Sequence, residues 1–214
     1  MNAERWTFGE APLPEVEALA AAIRDLTSTV LALEHPNDEL RRLTDDLRAA
    51  QERLAVEQPA DLTPRVGPAP RPEQRVYVDH SRDIGDYNPC FPVYELTCAD
   101  DRGEGWVEFP LLYEGPPGIV HGGFLAVFFD CALQQLNCDL GLAGKTTNLE
   151  VRYRRPTPLL TRLRVVAARE VDGDRIHSHA ELRLDDTLLC SAEMRAAAGD
   201  RAALPAVSAR RSWR

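Results

Sequence analysis

One histidine, two glycines and one acid stand out in the stretch EGPPGIVHGGFLAVFFDCALQQL, residues 114–136. Gly122 and Gly123 follow His121 where an apolar run begins, so their backbone N–H groups open a helix. Such amides lack intrahelical acceptors and sit at the positive end of the helix dipole. With no Cβ in the way, a substrate oxygen can approach them closely, which is how main chain builds an oxyanion hole. A Gly-rich turn is also a purely geometric way into a helix. His121, at the helix start, suits an orienting role within the turn better than the role of general base. Asp130 is the single carboxylate of the apolar run, flanked by Phe128, Phe129, Cys131, Ala132 and Leu133. An ionised carboxylate in such company must be paired, protonated or functional. It reads either as a buried acid satisfied by a nearby donor or as an acid that does chemistry.

Spacing limits what these groups can do together. Nine residues of α-helix separate His121 from Asp130, a rise of roughly 13 Å. Asp130 therefore cannot reach a carbonyl held at the Gly122 or Gly123 amide of its own chain. If both act on one substrate, the acid comes from another subunit. A two-fold dimer with neighbouring central helices would supply two such composite sites.

The elements that must position these groups follow from periodicity. Residues 13–58 read as a helical hairpin. Val16, Leu19, Ile23, Leu26, Val30 and Leu33 mark one helical face, and Leu40, Leu43, Leu47, Ala50 and Leu54 mark another. His35-Pro36-Asn37 breaks the pair, with Asn37 as N-cap of the second helix. The hairpin packs on itself, on the main domain or on a second subunit. Five prolines in residues 59–75 make an extended linker. From residue 76 strands take over. Tyr94, Leu96 and Cys98 alternate with polar neighbours, Asp100 to Gly105 turns, and Trp106 to Phe109 returns. The segment after His121 is apolar nearly all round, which predicts a helix buried on every side. Four strand patterns follow: Leu149, Val151 and Tyr153 opposite Asn148, Glu150, Arg152 and Arg154; Leu163 to Ala167; Ile176 to Leu184; and Leu188 to Met194. Turns at Asp172-Gly173 and Asp185-Asp186 separate the last three. Two strands, a buried helix and four strands make an α+β domain. The tail, residues 199–214, reads as a solvated end.

As a set, EGPPGIVHGG, the acid at position 130 and TTNLEVRYRRPTP (146–158) resemble the hotdog-fold acyl-CoA thioesterases. The similarity is to the branch with the phenylacetate-pathway enzymes and the mammalian thioesterase superfamily. It covers residues 76–198 and leaves the extension (1–58) and tail outside. It implies a hotdog fold, an antiparallel sheet wrapped around a long central helix, working as a homodimer or dimer of dimers without metal or cofactor. It further implies that the Gly122 amide, with Gly123, polarises a thioester carbonyl. Asp130 of the partner subunit would act as general base on water or as nucleophile through an anhydride. Thr146 matches a position where some members place a hydroxyl near the acid, a role that neighbouring Thr147 could also fill. Some members carry Asn six residues before the motif's histidine; here that residue is Gly115, in agreement with the branch that reads GPPG.

Charge narrows the partners. The chain of 214 residues has a formal net charge of -9, and its first 60 residues carry 12 acids against 6 bases. That disfavours a nucleic-acid reader. Residues 145–164 reverse the sign, with Lys145, Arg152, Arg154, Arg155, Arg162 and Arg164 against only Glu150. A CoA phosphate would meet Arg154 and Arg155 first, then Arg152, with Thr147 and Asn148 completing the substrate-binding candidates; a solvated strand face accounts for the same arginines. His177 and His179 share a strand face but suggest no third metal ligand. Five cysteines without a CxxC pair fit reduced thiols in the cytoplasm, and Cys131 and Cys138 read as core. No apolar run is long enough to span a bilayer. The sequence therefore reads as an acyl-CoA thioesterase. The alternatives are a non-catalytic acyl-CoA-binding or partner-docking hotdog protein and a hydratase on the same fold.

Overall fold

The computed structural model describes residues 14–58, 84–140 and 144–198. The expected linker (59–75) and tail (199–214) lie outside them. Three helices and six strands run in the order α1 (Pro14–Leu31), α2 (Asp38–Ala55), β1 (Val93–Ala99), β2 (Arg102–Glu108), α3 (Gly122–Asp139), β3 (Gly144–Tyr153), β4 (Arg162–Asp172), β5 (Arg175–Leu184) and β6 (Thr187–Ala198). The strands form one sheet ordered β1-β2-β4-β5-β6-β3, antiparallel at every pairing. The fold is the expected α+β hotdog arrangement, with α3 as central helix and β3 on the outer edge.

The strands follow their alternation. In β5, Ile176, Ser178, Ala180 and Leu182 face the core, and in β6 Cys190, Ala192, Met194 and Ala196 do so. The Gly173 turn adopts φ +61° and Asp185 adopts φ 51°, the left-handed backbone of tight hairpins. The β1–β2 connection is shorter than the sequence suggested. Asp100 and Asp101 alone make the turn, with φ of 49° and 59°, and Ala99 already pairs with Arg102. Gly103 and Gly105 are thus strand residues. A Cβ on Gly105 would lie 1.8 Å from the Glu95 carbonyl oxygen, so glycine there permits a close strand crossing rather than a bend.

Helix α3 departs from the expected enclosure. Residues Phe128, Phe129 and Cys131 to Cys138 are buried, but Phe124 is 38% and Val127 51% exposed. Its N-terminal half leaves an apolar stripe uncovered by the described residues. Around it, Phe128 meets Tyr94 and Phe109 edge to face at 5.5 and 5.6 Å, the geometry aromatic quadrupoles favour.

The two N-terminal helices behave differently. Asn37 caps α2 as expected, its Oδ1 accepting from the Glu39 N–H at 2.9 Å, yet α2 buries no residue. Helix α1 docks through buried Ala20 and Arg24, with Val16, Ile23, Leu26 and Val30 of its predicted stripe half-buried and Leu19 53% exposed. The buried Arg24 guanidinium donates to the Phe91 carbonyl at 2.9 Å, to Asn88 at 3.1 Å and to Gly85. These carbonyls precede β1, so the helix is clasped to the start of the sheet.

Candidate active site

The loop before α3 is held at both ends. Gly115 N–H donates to the Ile119 carbonyl and Val120 N–H to Thr157, each at 2.9 Å, while His121 N–H donates to Tyr113 at 2.8 Å. Gly118 turns at φ +77°. A Cβ on Gly115 would sit 2.9 Å from the His121 Cα, which explains sterically why this loop carries glycine there and not asparagine.

His121 is the N-cap of α3. Its Nδ1 accepts from the Gly123 N–H at 3.0 Å, so a neutral ring carries its proton on Nε2. The expected orienting geometry is present, and it has a consequence for the two glycines. The Gly123 amide is engaged by the histidine, and Phe124 and Leu125 donate to the His121 carbonyl. Among the described residues the Gly122 N–H has no acceptor, leaving it as the donor at the positive end of the helix. Tyr153, at the end of β3, was not singled out by sequence reasoning. Its hydroxyl donates to the Gly122 carbonyl at 2.8 Å, and a Cβ on Gly122 would touch its ring at 3.2 Å.

A pocket of about 340 Å³ opens beside this amide, lined by Gly122, Leu125, Tyr153, Arg154, Arg155 and neighbouring loop residues. The arginines reach it because β3 ends there: the Arg154 and Arg155 amides both donate to the Leu189 carbonyl at 2.9 Å. Arg152 sits elsewhere, on the outer sheet face, paired with Glu150 at 2.8 Å and near Glu193 at 3.8 Å. Asn148, His177 and His179 line that same outer groove. Arg162 lies 3.9 Å over the Trp106 ring and Arg164 pairs with Glu104. The basic cluster thus divides: only Arg154 and Arg155 border the pocket at the helix start, and Arg154 lines the outer groove as well.

The acid lies along α3 from this pocket. Asp130 is half-buried, and its Oδ1 accepts from the Thr146 hydroxyl at 2.8 Å. Strict alternation along β3 would have turned Thr147 toward the helix with Leu149. A bulge between Thr146 and Asn148 shifts the register, so one extra residue reverses the faces. Thr146 points inward, and Thr147 donates to the Arg195 carbonyl at 3.0 Å. Gln134, also unforeseen, donates from Nε2 to the Thr146 Oγ1 at 2.7 Å. Its place four residues after Asp130 on one helical face was the available signal.

Gly122 and Asp130 are eight residues apart on one straight helix, roughly 12 Å of rise, with exposed Phe124 and Val127 between them. The chain brings together His121, Gly122, Gly123, Arg154 and Arg155 at one place and Asp130 with Thr146 at another. Cys131 and Cys138 are buried. No helix among the described residues is long and apolar enough to cross a membrane.

No protein-family model matches the chain. Among solved structures, one described as a thioesterase superfamily protein matches with TM-score 0.69 and 28% identity, over 89% of this chain and 98% of its own. That span exceeds what residues 84–198 alone can supply, so the likeness reaches beyond the sheet domain. A phenylacetic acid degradation-related protein from Ralstonia eutropha JMP134 matches at TM-score 0.45 and 23% identity, over 49% of this chain and 83% of its own. A hypothetical thioesterase with coenzyme A from Streptococcus pneumoniae TIGR4 matches at TM-score 0.47 and 18% identity, over 50% and 88%. The chain has the hotdog fold, and its likeness is to the thioesterase superfamily.

Proposed function

We propose that the protein is an acyl-CoA thioesterase that works as a homodimer, each site taking its oxyanion donor from one chain and its acid from the other. The observation that carries this reading is the pairing of an unengaged Gly122 N–H with a pocket bordered by Arg154 and Arg155. The amide meets the carbonyl oxygen as negative charge develops on it. The two guanidiniums meet the CoA phosphates. Asp130 of the partner subunit takes a proton from water as the water attacks the thioester carbon; the C–S bond then breaks, and the departing CoA thiolate receives that proton from the Asp130 carboxyl. Thr146 holds one carboxylate oxygen, leaving the other for the water.

The exposed Phe124 and Val127 stripe and the outer position of β3 support the dimer. Apolar surface on the central helix, together with a strand that pairs on one side only among the described residues, fits a second copy related by a two-fold axis. Free-thiol release from short, aromatic and long acyl-CoAs, by wild type and Asp130→Asn, tests the reading. Turnover by wild type and its loss in the variant is the expected result. Acyl-CoA binding without thiol release by wild type would make this a ligand-binding hotdog protein instead.

A further inference from the structure

We propose that Gln134 is a positioning residue for Asp130, acting through the hydroxyl of Thr146; this rests on the reading of Asp130 as the acid of the site. Gln134 is 5% exposed and lies one helical turn beyond Asp130, so both side chains reach the inward face of β3 at its bulge. The Thr146 oxygen stands 2.7 Å from the Gln134 Nε2, 2.8 Å from the Asp130 Oδ1 and 3.5 Å from the Met194 Sδ. A hydroxyl has one proton and two lone pairs. The Gln134 amide is a donor, so it occupies a lone pair and leaves the Thr146 proton for one of the other two neighbours. A thioether is a weak acceptor and here the more distant one; the carboxylate takes the proton.

The direction of the chain Gln134 to Thr146 to Asp130 is therefore fixed from its buried end. Asp130 receives a hydrogen bond on Oδ1, its χ2 is held, and Oδ2 is the oxygen left to face a reacting molecule. Without the Gln134 donor, Thr146 can turn its proton toward other acceptors.

The test is a double-mutant cycle in kcat and KM on whichever acyl-CoA the wild type turns over. Gln134→Met, similar in length and without a donor, should lower kcat about fivefold at unchanged KM. Thr146→Val should lower it about tenfold or more. In the Thr146→Val background the Gln134→Met change should cost nothing further, because its only route to Asp130 is gone. An equal loss in both backgrounds would overturn the proposal, since a merely structural effect persists without Thr146. The orientation of the Thr146 hydroxyl proton, read from its three-bond coupling to Hβ in labelled protein, needs no turnover. It should be single in wild type and averaged in Gln134→Met; a wild-type coupling in Gln134→Met would refute the relay. If wild type releases no thiol from any acyl-CoA, the thioesterase reading fails, and the hydroxyl orientation alone decides the role of Gln134.

Discussion

Substituting Gly122 by proline would remove one atom group of interest, its N–H, while respecting the backbone around it. Gly122 is the first residue of α3, the position where proline is most welcome, since its missing N–H has no helical acceptor to lose. The preceding residue must be extended, and His121 already is, at φ -65° and ψ 131°. The ring carbons would press on Tyr153, 3.2 Å from a Cβ at this position, but that side chain is 55% exposed and can move outward at the cost of its hydrogen bond to the Gly122 carbonyl. The helix should persist and the oxyanion donor vanish, with a loss of about 10²–10³ in kcat. Asp130→Asn should cost at least as much, by removing the base. Mixing the two inactive proteins then reads the geometry directly. If each site joins the Gly122 of one chain to the Asp130 of the other, a heterodimer holds one intact site and one doubly impaired site. Random reassortment makes about half of the dimers mixed, so activity should recover to about a quarter of wild type. Co-expression with two affinity tags, or dissociation and reassembly, followed by thiol release, is the assay. Activity no higher than the sum of the two parents would refute the composite site.

Three further results follow from the geometry. Thr147→Val should leave kcat within about twofold of wild type, unlike Thr146→Val, because only Thr146 faces the acid; equal losses would remove the bulge argument. Arg154→Ala and Arg155→Ala should raise KM severalfold for an acyl-CoA and leave it unchanged for the same acyl group on a pantetheine thiol without phosphates. A parallel rise on both substrates would place these arginines outside phosphate recognition. Val127→Asp, which puts a charge into the exposed apolar stripe of α3, should shift sedimentation toward monomer and abolish turnover without lowering the monomer's helix content; a variant that stays dimeric and active would show that the stripe is not the interface.

Which features were readable in advance depends on which rule controlled them. The turns at Gly173 and Asp185, the inward faces of β5 and β6 and the entry into α3 obey local rules, so residue type and spacing announced them. The choice between Thr146 and Thr147 did not, because period-two alternation favours Thr147 and a single extra residue in β3 overrides it. A bulge is a property of two paired strands, and only the pairing of Thr146 with Ala196 and Asn148 with Arg195 exposes it. Helix α3 departs in another way: its apolar circumference predicted burial on every side, and Phe124 and Val127 are exposed. That stripe is the surface the proposed dimer would cover, which is why Val127→Asp tests it. Helix α1 is a third kind of case. Its apolar stripe marked the helix and, through half-buried Val16, Ile23, Leu26 and Val30, part of its buried face, but not the charge that anchors it. Arg24 is worth burying there only because three carbonyl oxygens before β1 accept from it. No periodicity of apolar residues can signal such an anchor, since its partners are backbone groups more than sixty residues away. Gln134 and Tyr153 escaped notice for the same reason. Each acts on a group whose sequence position was conspicuous, Asp130 and Gly122, through a contact that exists only once β3 lies against α3.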